Sequence, residues 1–160
     1  MRTMTVAIGA VGLLVLAGSS AAAGPALPKG AYILSGSAVP KILRQCSRRA
    51  PKAGEDSWQP RAANIRELEA ALPGELRKRS PGESSRWQNL LRDWRRQYVG
   101  IVRGERRYIY GSFAQDDSSG SAFDWQREPM QVCDGGASFF GVEYDIASRR
   151  FTHLAFNGPY

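Results

Sequence analysis

The chain holds one histidine, His153, and an imidazole is the side chain best suited to moving protons near neutral pH. A carboxylate beside it orients the ring and raises its basicity. Glu143 is the carboxylate the pattern supplies, because pairing the last two apolar runs so that Val142 opposes Leu154 and Phe140 opposes Phe156 sets Glu143 against His153. The pair lacks a third member. Thr152, the nearest hydroxyl, is expected on the opposite face of its strand, and no Ser or Cys stands in an elbow motif. The same two residues serve equally as a cross-strand ion pair on a solvated face.

Glu143, Asp145 and Glu105 could supply paired carboxylates for sugar cleavage, but nothing marks one as raised in pKa while another stays ionised. Asp116, Asp117 and Asp124 could gather around Ca²⁺, yet their spacing departs from the loop that alternates oxygen ligands around a central Gly. One His and two Cys make no zinc site of usual composition. No metal and no cofactor is implied. Arg103, Arg106 and Arg107 flank a turn and lead into Tyr108 and Tyr110, a basic patch interleaved with aromatics. Such a patch can grip an anionic chain by charge and stacking, or it can be a solvated hairpin tip with its tyrosines on one sheet face.

The surroundings of those residues follow from the N-terminus. Arg2, the apolar run Val6–Ala17 and the small residues Ala21-Ala22-Ala23 have the order of a secretory signal. A spanning helix needs about 20 apolar residues, more than this run holds, so residues 1–23 are expected to be removed, leaving no transmembrane anchor. Export makes nucleic acid an unsuitable partner. The net charge of +7 then points to an acidic protein or an anionic envelope component. An oxidising compartment and two cysteines predict a Cys46–Cys133 bridge, whose long loop limits its contribution to about 4 to 5 kcal/mol.

The elements that must position these residues divide into helical and extended halves. Residues 24–37 read as an extended leader, and residues 38–160 as a single domain. Pro40 opens a short helical turn through Cys46. After Pro60 a helix carries Ile65, Leu68 and Leu72, with Pro73-Gly74 as its stop. A third helix is predicted over 85–97, with Trp87, Leu90, Leu91, Trp94 and Tyr98 on one face. The period then changes to two. Five strands are predicted: 98–103, 106–114, 125–133, 137–145 and 151–157, joined by turns at Gly104-Glu105 and Asp134-Gly135.

Helices followed by strands predict an α+β fold, with N-terminal helices packed on one face of an antiparallel meander of about five strands, similar to cystatin-like or nuclear-transport-factor-like folds. The ending DGGASFFGVEYDIASRRFTHLAFNG, Asp134–Gly158, resembles that of small exported bacterial proteins of unknown function. The resemblance covers the last hairpin alone and carries over no activity or site residue. The absence of a legible catalytic constellation leads to the expectation of an exported, periplasmic or extracellular, non-enzymatic binding protein, an inhibitor or immunity-type module. The alternatives are a small hydrolase of envelope polymer and a passive ligand carrier.

Overall fold

In the computed structural model, residues 25–79, 87, 92–115 and 123–159 are described. The predicted signal, residues 1–23, lies outside them, as do Ser85, Gln88, Leu90, Leu91, Asp116 and Asp117. Six strands form one mixed sheet: β1 (Ala31–Ile33), β2 (Asp56–Trp58), β3 (Trp94–Arg103), β4 (Arg106–Gln115), β5 (Phe139–Asp145) and β6 (Arg150–Phe156). Alongside them lie the helices α1 (Val39–Ile42) and α2 (Ala62–Arg79), and Trp87 is also helical. The sheet order is β1-β3-β4-β5-β6, and β2 shares with β1 the outer edge of β3. β1 runs parallel to β3, while all other pairs are antiparallel. The α+β class holds; the sheet is mixed rather than an antiparallel meander of five.

The two faces follow from strand alternation. On one, Tyr98, Ile109, Phe113, Phe140, Val142 and Tyr144 meet Ile65, Leu68, Leu72 and Leu76 of α2, each fully buried leucine contributing about 1.5–3 kcal/mol. Trp87 and Trp94 close this layer with Phe140 at ring separations of 5.9 and 5.3 Å. On the other face Val99, Ile101, Tyr108 and Tyr110 pack against Leu34, Ala38, Val39 and Ile42. The helices therefore lie on both faces, not one.

Four local expectations change. The predicted 85–97 helix overlaps β3, because Trp94 and Tyr98 at i and i+4 satisfy both the helical and the strand period. Arg96 between them is also buried, its charge met by Glu69 of α2 at 2.8 Å. Second, α2 runs through Pro73 and Gly74. A proline there costs about 3 kcal/mol, offset by the complete burial of Leu72 and Leu76 on either side. Third, 125–133 is not a strand. Gln97 takes its place in the pairing, donating to the carbonyls of Trp125 and Glu128 and accepting the Met130 N–H. Fourth, with no strand before it, Asp134-Gly135 makes no hairpin; Gly135 and Gly136, at φ of 87° and 54°, lead instead into a 3₁₀ turn.

Candidate functional site

The β3–β4 hairpin places Arg103 directly opposite Arg106 across Gly104-Glu105, as expected. Gly104 sits at φ 58°, a conformation open to glycine without strain. Alternation then separates the three arginines. Arg103 and Arg106 project on the face of Tyr108 and Tyr110, and Arg107 on the face of α2.

Arg103 and Arg106 are already neutralised. Arg103 meets Glu143 at 2.5 Å and donates to the Lys52 carbonyl at 2.7 Å. Arg106 pairs with Asp145, which is fully buried. Tyr108 lies between the two guanidinium groups, 4.0 Å from one and 5.8 Å from the other. The carboxylates considered for catalysis are thus the counter-ions of the arginines considered for binding. Burial pushes the Asp145 carboxyl up, but hydrogen bonds from Ser148 and Ala147 and the Arg106 charge outweigh it and hold the group below the usual carboxylate range. A general acid needs the opposite shift. Tyr110 is fully buried rather than displayed, and burial raises its hydroxyl pKa.

The last hairpin has the expected register, with Glu143 opposite His153. The two side chains take different partners, however. His153 Nε2 is bonded to the Arg49 carbonyl at 2.9 Å. A bulge after Glu143 makes Tyr144 face Phe151, so Thr152 is the extra residue. Its hydroxyl turns to the Glu143 face and donates to Oε2 at 2.6 Å, contrary to strict alternation. Glu143 Oε1 is buried without a hydrogen-bond partner. Glu105 stands exposed at the hairpin turn, away from the Arg103–Glu143 pair. Among the described residues no three His, Cys, Asp or Glu side chains gather as a metal site; Asp124 instead caps its own turn through the Gln126 N–H.

Cys46 and Cys133 are joined, with Cα atoms 4.9 Å apart. Asn157 reinforces this junction by donating to the carbonyls of Val132 and Asp134, on either side of Cys133. Arg48, two residues past Cys46, donates to Asn157 at 2.5 Å and to Ser112 at 2.8 Å. Sequence reasoning missed both, since neither a buried Arg nor a C-terminal Asn carries a local signal.

Arg107 is placed differently. Its guanidinium lies 5.5 Å from the ring centre of the Trp58 indole. The two line a hollow of about 450 Å³ with Gln59, Arg61, Asn64 and Ile146. Neither Arg61 nor Arg107 meets a carboxylate among the described residues. A larger hollow, about 540 Å³, lies by Lys29, Tyr32, Arg92 and Arg95. There Arg92 is taken by Asp93 at 2.9 Å, and Arg95 donates to the Tyr32 hydroxyl at 2.8 Å. Those two arginines are thus engaged, whereas both arginines of the smaller hollow lack a carboxylate among the described residues. No family model matches this chain, and neither a curated protein nor a solved structure is detectably similar to it.

Proposed function

We propose that this is an exported binding module that recognises an anionic partner, an acidic protein in preference to an envelope component, through the hollow beside the turn end of the β3–β4 hairpin. One observation carries the reading: of the three hairpin arginines, Arg107 alone has no carboxylate partner among the described residues, and it is stacked on Trp58 beside a second such cation, Arg61. The disulfide suits an oxidising compartment, and no helix among the described residues is long and apolar enough to cross a membrane. The antiparallel run β3–β6 with α2 on one face supplies a rigid base for such a site.

Capture from envelope extract at low salt tests the proposal. A predominantly acidic partner, eluted by salt and lost from Arg61→Glu/Arg107→Glu, is the expected result; a partner indifferent to that reversal would overturn it. A hydrolase is favoured by one observation, the unpartnered buried Oε1 of Glu143 beside the Thr152 hydroxyl. Turnover of cell-wall glycan that disappears in Glu143→Gln with the fold intact would establish that reading instead.

A further inference from the structure

Trp58 is held from three sides. Its indole N–H donates to the Tyr108 carbonyl at 2.9 Å, and a Cβ at Gly100 would stand 2.1 Å from the Trp58 carbonyl oxygen and 2.8 Å from the ring. Arg107 covers the ring at 5.5 Å. Stacking orients a guanidinium and leaves its N–H edge for a ligand. Arg61, just before α2, stands on the wall of the same hollow. The Asn64 side chain accepts the Arg61 backbone N–H through Oδ1 at 2.9 Å, which leaves both of its NH₂ donors available. No carboxylate lines the hollow among the described residues; the polar edges it presents come from two guanidinium groups and the amides of Asn64 and Gln59.

We propose that this hollow is a carboxylate subsite that takes an acidic side chain, Glu or Asp, of a partner protein. The inference rests on the anionic-partner reading and names the group recognised. A bidentate carboxylate matches the fork of a stacked arginine. A Glu side chain would also bring methylenes against the half-buried Ile146. A uronic-acid glycan is the weaker fit, because Arg107 and Gly100 occupy the faces of Trp58 on which a sugar ring would stack.

The test uses the disulfide-intact mature protein and fluorescein-labelled oligoglutamate, followed by anisotropy at fixed ionic strength, with an oligoglutamine peptide as control. Oligoglutamate alone should bind. Arg61→Gln/Arg107→Gln should weaken it about tenfold or more, the loss expected for charge-assisted hydrogen bonds. Arg107→Lys, which keeps the charge and loses the fork, should weaken it by about threefold or more. Lys78→Gln/Arg127→Gln removes the same charge at exposed positions and should stay within about twofold. Equal loss in both double variants would overturn the subsite and leave standing only recognition of an anionic partner, no longer through this hollow. No binding of oligoglutamate to the wild-type protein would overturn both. Tighter binding of trigalacturonate or inorganic phosphate, abolished by the same arginine changes, would overturn the assignment to a protein side chain. Should Arg107→Gln fail to fold, Arg61→Gln and Asn64→Asp read the same site, the latter by adding a negative charge while keeping the Oδ1 acceptor; unchanged affinity in both would overturn the proposal.

Discussion

Replacing Glu69 should be among the most damaging single changes to this protein that leave its size nearly unaltered. Glu69 is 4 % exposed and Arg96 1 %. The carboxylate receives Arg96 Nε at 2.8 Å and a second guanidinium nitrogen at 3.2 Å, and the Tyr98 hydroxyl donates to it at 2.8 Å. Glu69→Gln keeps an acceptor for Tyr98 but leaves the Arg96 charge buried without a counter-charge. Removing one partner of a buried pair costs about 3–5 kcal/mol, and the retained hydrogen bonding sets the expectation near about 3 kcal/mol. With a urea m-value of about 1–3 kcal/mol per molar, the unfolding midpoint should fall by about 1–3 M in the disulfide-intact protein. The double variant Glu69→Leu/Arg96→Met removes both charges and should recover most of the loss, because the pair spends much of its attraction on desolvation. A loss below about 1 kcal/mol for Glu69→Gln at unchanged m, with no recovery in the double variant, would refute the reasoning.

Reducing the Cys46–Cys133 bridge, or changing both residues to Ser, should lower stability by at most about 4–5 kcal/mol; urea midpoints of oxidised and reduced protein measure this. Because the folded Asp145 pKa lies below its unfolded value of about 3.9, this group stabilises the fold above the unfolded pKa. The contribution is lost as pH falls through the folded pKa, so Asp145→Asn should flatten the acid limb of stability against pH. Gly141→Ala should cost about 1–3 kcal/mol by overpacking, since the new Cβ would stand 2.3 Å from the Tyr110 hydroxyl and 3.0 Å from Arg48 Nε; thermal melting reads the loss. Mass spectrometry of exported protein should find a mature N-terminus near Gly24, and retention of Met1 would undo the inference of export.

Much of the second half was legible locally. The Gly104-Glu105 turn, β4 and the register of β5 on β6 follow from period-two alternation and a glycine where φ is positive. β1 was not legible: three residues are too few for a pattern, and they join the sheet because the Arg96 N–H finds the Gly30 carbonyl and the Leu34 N–H finds that of Tyr98, each at 2.9 Å. β2, also three residues long, was not legible for the same reason. Trp94 was expected in the helix because its spacing to Tyr98 fits either period, and the deciding residue is Arg96, whose burial depends on a glutamate in another element.

The candidate site divides along the same line. Sequence by itself determined the kind of surface to expect: a basic hairpin flanked by tyrosines, two cysteines able to pair, and a leader that places both in an oxidising compartment. The first two are properties of composition and short-range spacing, which the chain carries whatever it packs against; the leader is an expectation of export. Only the tertiary structure decided which charges remain free. Arg103 and Arg106 lose theirs to Glu143 and Asp145 of β5, whereas Arg107 turns to the other face, over Trp58 and beside a hollow it shares with Arg61, both from one segment far away in the chain. A Coulomb interaction depends on distance in space and on burial, and neither is written in the order of the residues.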